Sequence, residues 1–170
     1  MIRKIAALAA ACGLTFAVPS AGYCIDGAAL EYGRGDDRTN LVRVSITDKW
    51  RKAQPPVGDA WRLAGYWEFS AAVWDNRDES TADLGFAPVF RVERGRLYVE
   101  GALGFHLVQA RISAARVFST AFQFAEHIGA GFHSGKYSFG LHVQHLSNGG
   151  IREPNPGINF VLVRLQYSLE

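Results

Sequence analysis

The chain has 170 residues, with 18 Lys and Arg against 16 Asp and Glu, so its formal charge is only +2. That near balance argues against nucleic acid as a partner, and the length suits one domain. Aromatic residues make up 12% and glycines number 18, which favours strands and tight turns over helices.

The first residues read MIRKIAALAAACGLTFAVPSAGYC. Arg3 and Lys4 precede an apolar run from Ile5 to about Val18, and small residues follow. This is the layout of a secretory signal peptide, with cleavage expected near Ala21 or Gly22. The run is short for a membrane anchor. Cys24 follows Tyr23, which argues against a lipoprotein site, and Cys12 leaves with the leader. The mature chain, 22–170, is then a single domain with one cysteine and no internal disulfide.

Beyond residue 25 the pattern has period two almost throughout. In LVRVSITDKW (41–50), Val42, Val44 and Ile46 alternate with Arg43, Ser45 and Thr47. In WRLAGYWEFSAAVW (61–74), Trp61, Leu63, Trp67 and Phe69 alternate with Arg62, Tyr66, Glu68 and Ser70. LYVEGALGFHL (97–107), FQFAEHIGAGF (122–132), FGLHVQH (139–145) and NFVLVRLQYSL (159–169) continue it. Eight strands are expected, over 27–34, 40–50, 60–73, 82–93, 96–107, 118–133, 136–147 and 158–169. Only RISAARVFS (111–119) leaves room for a short helical turn.

Eight alternating strands suit a soluble barrel or sandwich, apolar inside, or an outer-membrane barrel, apolar outside. Several strands reach ten residues, enough to cross a bilayer when tilted. Short turns are expected at Arg94-Gly95 and Ser134-Gly135, and longer loops at 75–81, 109–116 and 148–157. The turn at Gln54-Pro55-Pro56 is long for this scheme. The polar faces carry Arg43, Arg62, Glu68, Glu100, His106, His127, His142 and Gln144, too many charges for a soluble core. The fold expected is an all-β, eight-stranded antiparallel outer-membrane β-barrel with a polar interior.

Parity then separates the residues of HVQHLSNGGIREPNPGINF (142–160). His142 and Gln144 share the inward face. His145 and Ser147 share the outward face with Phe139, Leu141 and Val143, and Asn159 shares it with Val161 and Val163. A polar cluster facing lipid is costly unless it has a function. A Ser hydroxyl needs a base to become a nucleophile, and a third group to orient that base. His145 is in reach of Ser147, and Asn159 offers a side-chain oxygen. The loop SNGGIREPNPG offers oxyanion donors from its backbone and from Asn148 or Asn155. The plainer alternative is a polar patch in an interfacial girdle. His142 and His145 look like a metal pair but face opposite sides, so no metal or cofactor is expected. Asp36-Asp37 reads as a solvated loop, and His106 and His127 as interior residues.

The window HLSNGGIREPNPGINF resembles the signature of the PagL-type lipid A 3-O-deacylases of Gram-negative outer membranes. The likeness extends to the length and to EYGRGDD (31–37). It implies an eight-stranded barrel with a Ser/His/Glu triad on its outer surface that removes the ester-linked 3-hydroxyacyl chain at position 3 of lipid A. It implies Ser147 as nucleophile, His145 as base, and Asn148 and Asn155 at the oxyanion hole. The partner implied is lipid A, or lipopolysaccharide, in the outer leaflet. The chain departs from the family at Asn159, where members carry Glu. Three outcomes follow. Asn159 orients His145, as an Asn does in outer-membrane phospholipase A. Glu126, expected opposite Val143 and diagonal to His145, serves as the acid. Or the barrel is silent. Asn159 ranks first. A phospholipase is the alternative enzyme, although that family is a larger barrel. A structural barrel and a soluble lipid-binding barrel complete the alternatives.

Overall fold

The computed structural model describes residues 25–50, 56–57, 60–76, 79–109, 111–113 and 116–169. The expected leader, with its cleavage point near Ala21 or Gly22, lies outside them. Eight strands form the wall: β1 Gly27–Gly35, β2 Asn40–Lys49, β3 Trp61–Asp75, β4 Ser80–Arg94, β5 Leu97–Val108, β6 Phe122–Ser134, β7 Tyr137–Ser147 and β8 Ile158–Ser168. Each pairs antiparallel with its neighbours in sequence, and β1 also pairs with β8. The sheet is a closed barrel, so its strands expose no ladder edge. The stretch expected to hold a helical turn instead pairs Arg111–Ser113 with Arg116–Val117 as a small hairpin, and β6 starts only at Phe122.

Alternation sorts the side chains as expected along most of the wall. Leu141, Val143, Val161 and Val163 are each at least half exposed on the outer face. Their neighbours His142, Gln144, Leu162 and Arg164 are buried inside. At mid-height the lumen holds an ionic lattice. Arg43 donates to Glu31 at 3.0 Å and to Gln144 at 2.7 Å. Arg91 donates to Glu100 at 2.7 Å, and Tyr66 donates to the same carboxylate at 2.9 Å. His142 lies between Glu31 and Glu100, at 3.0 and 2.9 Å. Arg164 bridges Glu31 and Glu68. His106 pairs with Asp83 at 2.7 Å, and His127 stacks on His142, so both lie inside as expected.

The lumen is not polar along its full height, which corrects the sequence reading. Toward the end of the barrel that holds the 148–157 loop it is filled by an apolar plug that includes Leu41, Trp74, Phe118, Leu146, Ile158 and Phe160. These inward positions keep the barrel's period but carry large apolar groups, which close the lumen where charges have no partners.

The hairpin turns correct the register. Gly95 and Gly135 have φ of +59° and +63° and each takes the first turn position. The turns are thus Gly95-Arg96 and Gly135-Lys136, and Ser134 pairs with Tyr137. Glu126 therefore faces His145 directly, while Ile128 faces Val143.

The two faces make opposite demands on adjacent positions. Val163→Arg places a charge on the apolar outer face and is expected to cost about 2–4 kcal/mol, less toward the rim. Arg164→Leu leaves Glu31 and Glu68 short of a partner and is expected to cost about 3–5 kcal/mol. Urea unfolding of the barrel in lipid vesicles, followed by Trp fluorescence, measures both.

Candidate active site

The end of β7 and the start of β8 bring the site together. His145 pairs with Asn159 on one side and with Glu126 on the other, and Ser147 pairs with Phe124. These side chains share the outer face, with His145 and Ser147 half-buried and Asn159 and Glu126 exposed. Between them Leu146, Ile158 and Phe160 point inward, each at 1% exposure or less. The apolar plug thus anchors from behind the two strands that carry the polar cluster.

His145 Nδ1 lies 2.8 Å from Asn159 Oδ1. An amide oxygen only accepts, so Nδ1 carries a proton directed at it. Asn159 is held in turn. Its backbone N–H and its Nδ2 both donate to Asp36 Oδ2, each at 3.0 Å. Asp36 belongs to the β1–β2 turn, where the sequence alone suggests a solvated loop. Glu126 faces His145 but forms no hydrogen bond among the described residues. Gly157, with φ +56°, lies against the imidazole: a Cβ there would sit 2.8 Å from His145 Cε1. The ring is seated where only a glycine fits.

The loop after Ser147 is organised by Asn148, which is fully buried. Its Nδ2 donates to Arg152 O at 2.6 Å and to Ser119 Oγ at 2.9 Å. Its Oδ1 accepts from Gly150 N–H at 2.9 Å, and its own N–H donates to Asn155 Oδ1 at 3.0 Å. Both asparagines expected at the oxyanion hole are thus brought together, with these groups engaged in building the loop. Gly149 N–H points at Ser147 Oγ, at a long 3.4 Å. Asn148 has the parity of Leu146, and that was the available signal that it turns inward.

Beside Ser147 on the outer face, Phe124 packs with Phe105 and Phe122 at ring separations of 5.2 to 5.9 Å. This aromatic patch continues into Leu103, Ile128 and Val143, all exposed. It forms an apolar floor next to a hydroxyl, an imidazole and an amide oxygen. Such an arrangement suits nucleophilic attack on an ester carried by an apolar chain. His142 lies on the other side of β7. It forms with Glu100 and His127 a group whose donor atoms fall within 4.8 Å, inside the barrel and apart from His145.

The family model described as Lipid A 3-O-deacylase (PagL) matches residues 40–168. The lipid A deacylase PagL of Bordetella bronchiseptica is 31% identical over 179 residues, covering 96% of this chain and 92% of that protein. That of Pseudomonas aeruginosa is 33% identical over 130 residues, covering 68% and 70%. The crystal structure of the outer membrane enzyme PagL superposes with a TM-score of 0.76 at 25% identity, over 83% of this chain and 98% of that one. A de novo designed transmembrane β-barrel superposes with a TM-score of 0.54 at 12% identity and supports the architecture alone.

Asn148→Ala removes the bonds that close the loop and leaves their buried partners unsatisfied, at about 1–3 kcal/mol. Trypsin is expected to cut after Arg152 roughly tenfold faster in this variant. The barrel itself is expected to stay folded, as judged by the mobility of the unheated protein on a gel.

Proposed function

The chain belongs to the PagL family of lipid A 3-O-deacylases, and on that premise we propose that it removes the ester-linked 3-hydroxyacyl chain at position 3 of lipid A by serine catalysis on the outer face of its barrel. It is a lipid A deacylase, a hydrolase, of the Gram-negative outer membrane. The observation that carries the finer reading is the 2.8 Å contact between His145 and Asn159 on the same outward face as Ser147.

Asn159 holds His145 with its proton on Nδ1, and Nε2 takes the proton of Ser147 Oγ. The Ser147 oxygen attacks the ester carbonyl and forms a tetrahedral intermediate. The negative oxygen turns toward backbone donors of the 148–157 loop, with Gly149 N–H the nearest to Ser147. Asn148 and Asn155 contribute by holding that loop in shape. His145 then returns the proton to the sugar hydroxyl as it leaves. Water, activated by the same imidazole, releases the 3-hydroxy fatty acid from Ser147.

The end of the barrel that carries the site also holds the 36–39 turn, and the Gly95-Arg96 and Gly135-Lys136 turns lie at the other end. Two-residue turns face the periplasm in such barrels, which supports a site at the outer leaflet. A lipid A molecule there is a lateral neighbour. Its acyl chain runs down the wall along Phe124, Val143 and Val161, in hydrocarbon throughout. Asn159 is the orienting group in preference to Glu126, because among the described residues Asn159, and not Glu126, is bonded to the imidazole.

Mass spectrometry of lipid A from Gram-negative cells expressing the chain tests this reading. The wild type is expected to remove one 3-hydroxyacyl chain, and Ser147→Ala and His145→Ala none. Unchanged activity in Ser147→Ala would refute the assignment. Asn159→Ala is expected to lower the rate about 100-fold, whereas Glu126→Ala leaves it within about threefold.

A further inference from the structure

We propose that Asp36 is a positioning residue of this site, holding the Asn159 amide in the one orientation that serves His145 and placing behind it the negative charge that the amide itself lacks. The inference rests on the reading of Ser147, His145 and Asn159 given above.

The geometry is a clamp. One carboxylate oxygen of Asp36 accepts both the backbone N–H and the Nδ2 of Asn159, each at 3.0 Å. A flipped Asn159 would turn its oxygen toward that carboxylate and its NH₂ toward the protonated Nδ1 of His145. Both contacts would be repulsive, so Asp36 selects the amide orientation and, through it, the imidazole tautomer. A neutral amide gives an imidazolium less electrostatic support than a carboxylate does. An amide that donates to an anion is polarised, and its oxygen becomes the stronger acceptor. Carboxylate, amide and imidazole thus form one directional chain that ends at the nucleophile's base.

The fold places Asp36 there by several local devices. Gly35 pairs with Phe160, so the next residue along β1 comes level with Asn159. A Cβ on Gly35 would sit 2.6 Å from Asn159 O, so glycine permits the approach. The turn then reverses tightly, with Asp37 and Arg38 at φ of 52° and 60°, a left-handed conformation that non-glycine residues adopt at a cost. It is closed by Gly35 N–H to Thr39 O at 2.7 Å and by Thr39 N–H to Asp36 O at 3.0 Å. A solvated loop needs none of this, whereas a carboxylate held at a fixed point does.

The pair is complementary in charge. An acid at 159 would meet Asp36 as a like charge, and an amide at 36 would leave Asn159 without its anion. Exchanging the two residues tests this, because Asp36→Asn with Asn159→Asp restores one carboxylate and one amide in reverse order. Deacylation kinetics on purified lipid A in detergent, with folding checked by unheated gel mobility, provide the measurement. Asp36→Asn is expected to lower kcat about tenfold or more, with KM within about twofold. Asn159→Asp alone is expected to fall similarly, and the exchanged pair to return within a few-fold of wild type. A wild-type kcat in Asp36→Asn, or an exchanged pair no better than either single variant, would overturn the proposal. If Asp36→Asn alone does not fold, the exchanged pair against Asn159→Asp decides: a gain of about tenfold supports the proposal and parity overturns it. Ser147→Ala in the same assay separates the two readings. If it stays active, the serine mechanism fails whatever Asp36 does. If it is inactive while Asp36→Asn matches wild type, only the role of Asp36 fails.

Discussion

A peptide group in hydrocarbon has no water to bond to, and the wall of this protein meets that constraint by closing on itself. The pairing of β1 with β8 leaves no strand edge. Once the sheet is closed, alternation assigns each wall position to lipid or to lumen. Charges gather inside, where they find one another, and the outer face becomes apolar along the strands. Against that background a hydroxyl, an imidazole, an amide and a carboxylate together on the outer face are the exception. On the proposed reading their position suits the substrate, because a lipid reaches its enzyme sideways rather than through an opening.

The lumen makes the wall stiff. Glu31, Glu68 and Glu100 are laced to Arg43, Arg91 and Arg164 across several strands. The planar guanidinium reaches two partners at once, which a lysine does less well. Nearer the site the filling changes from ionic to apolar, and Leu146, Ile158 and Phe160 brace the strands that carry His145, Ser147 and Asn159. A constellation built on braced strands keeps its geometry better than one built on loops. The loop adds the Gly149 N–H, which points at Ser147 Oγ.

Much of this was legible in the sequence, because a barrel wall repeats every two residues. Period two was enough to predict the strand count, the outward parity of His145, Ser147 and Asn159, and the separation of His142 from His145. The register of Glu126 was misread because the first position of each tight hairpin belongs to a glycine with positive φ, and the reading placed the turns one residue early. The motif points Asn148 to the oxyanion hole, and its parity with Leu146 turns its side chain inward, where it bonds the loop. The apolar plug kept the alternation and changed only its chemistry, which period alone does not report. Asp36 was not legible. Its role depends on which strands become neighbours at closure and on a left-handed turn at Asp37 and Arg38, neither of which leaves a local pattern.

The contact between Asp36 and Asn159 joins residues 123 positions apart, and it forms only across the seam where the first strand meets the last. An unclosed chain carries Ser147 and His145 side by side but lacks the anion behind them. On the proposed role of Asp36, full activity is therefore tied to closure of the wall. The pairing that closes the wall is then also the one that completes the site.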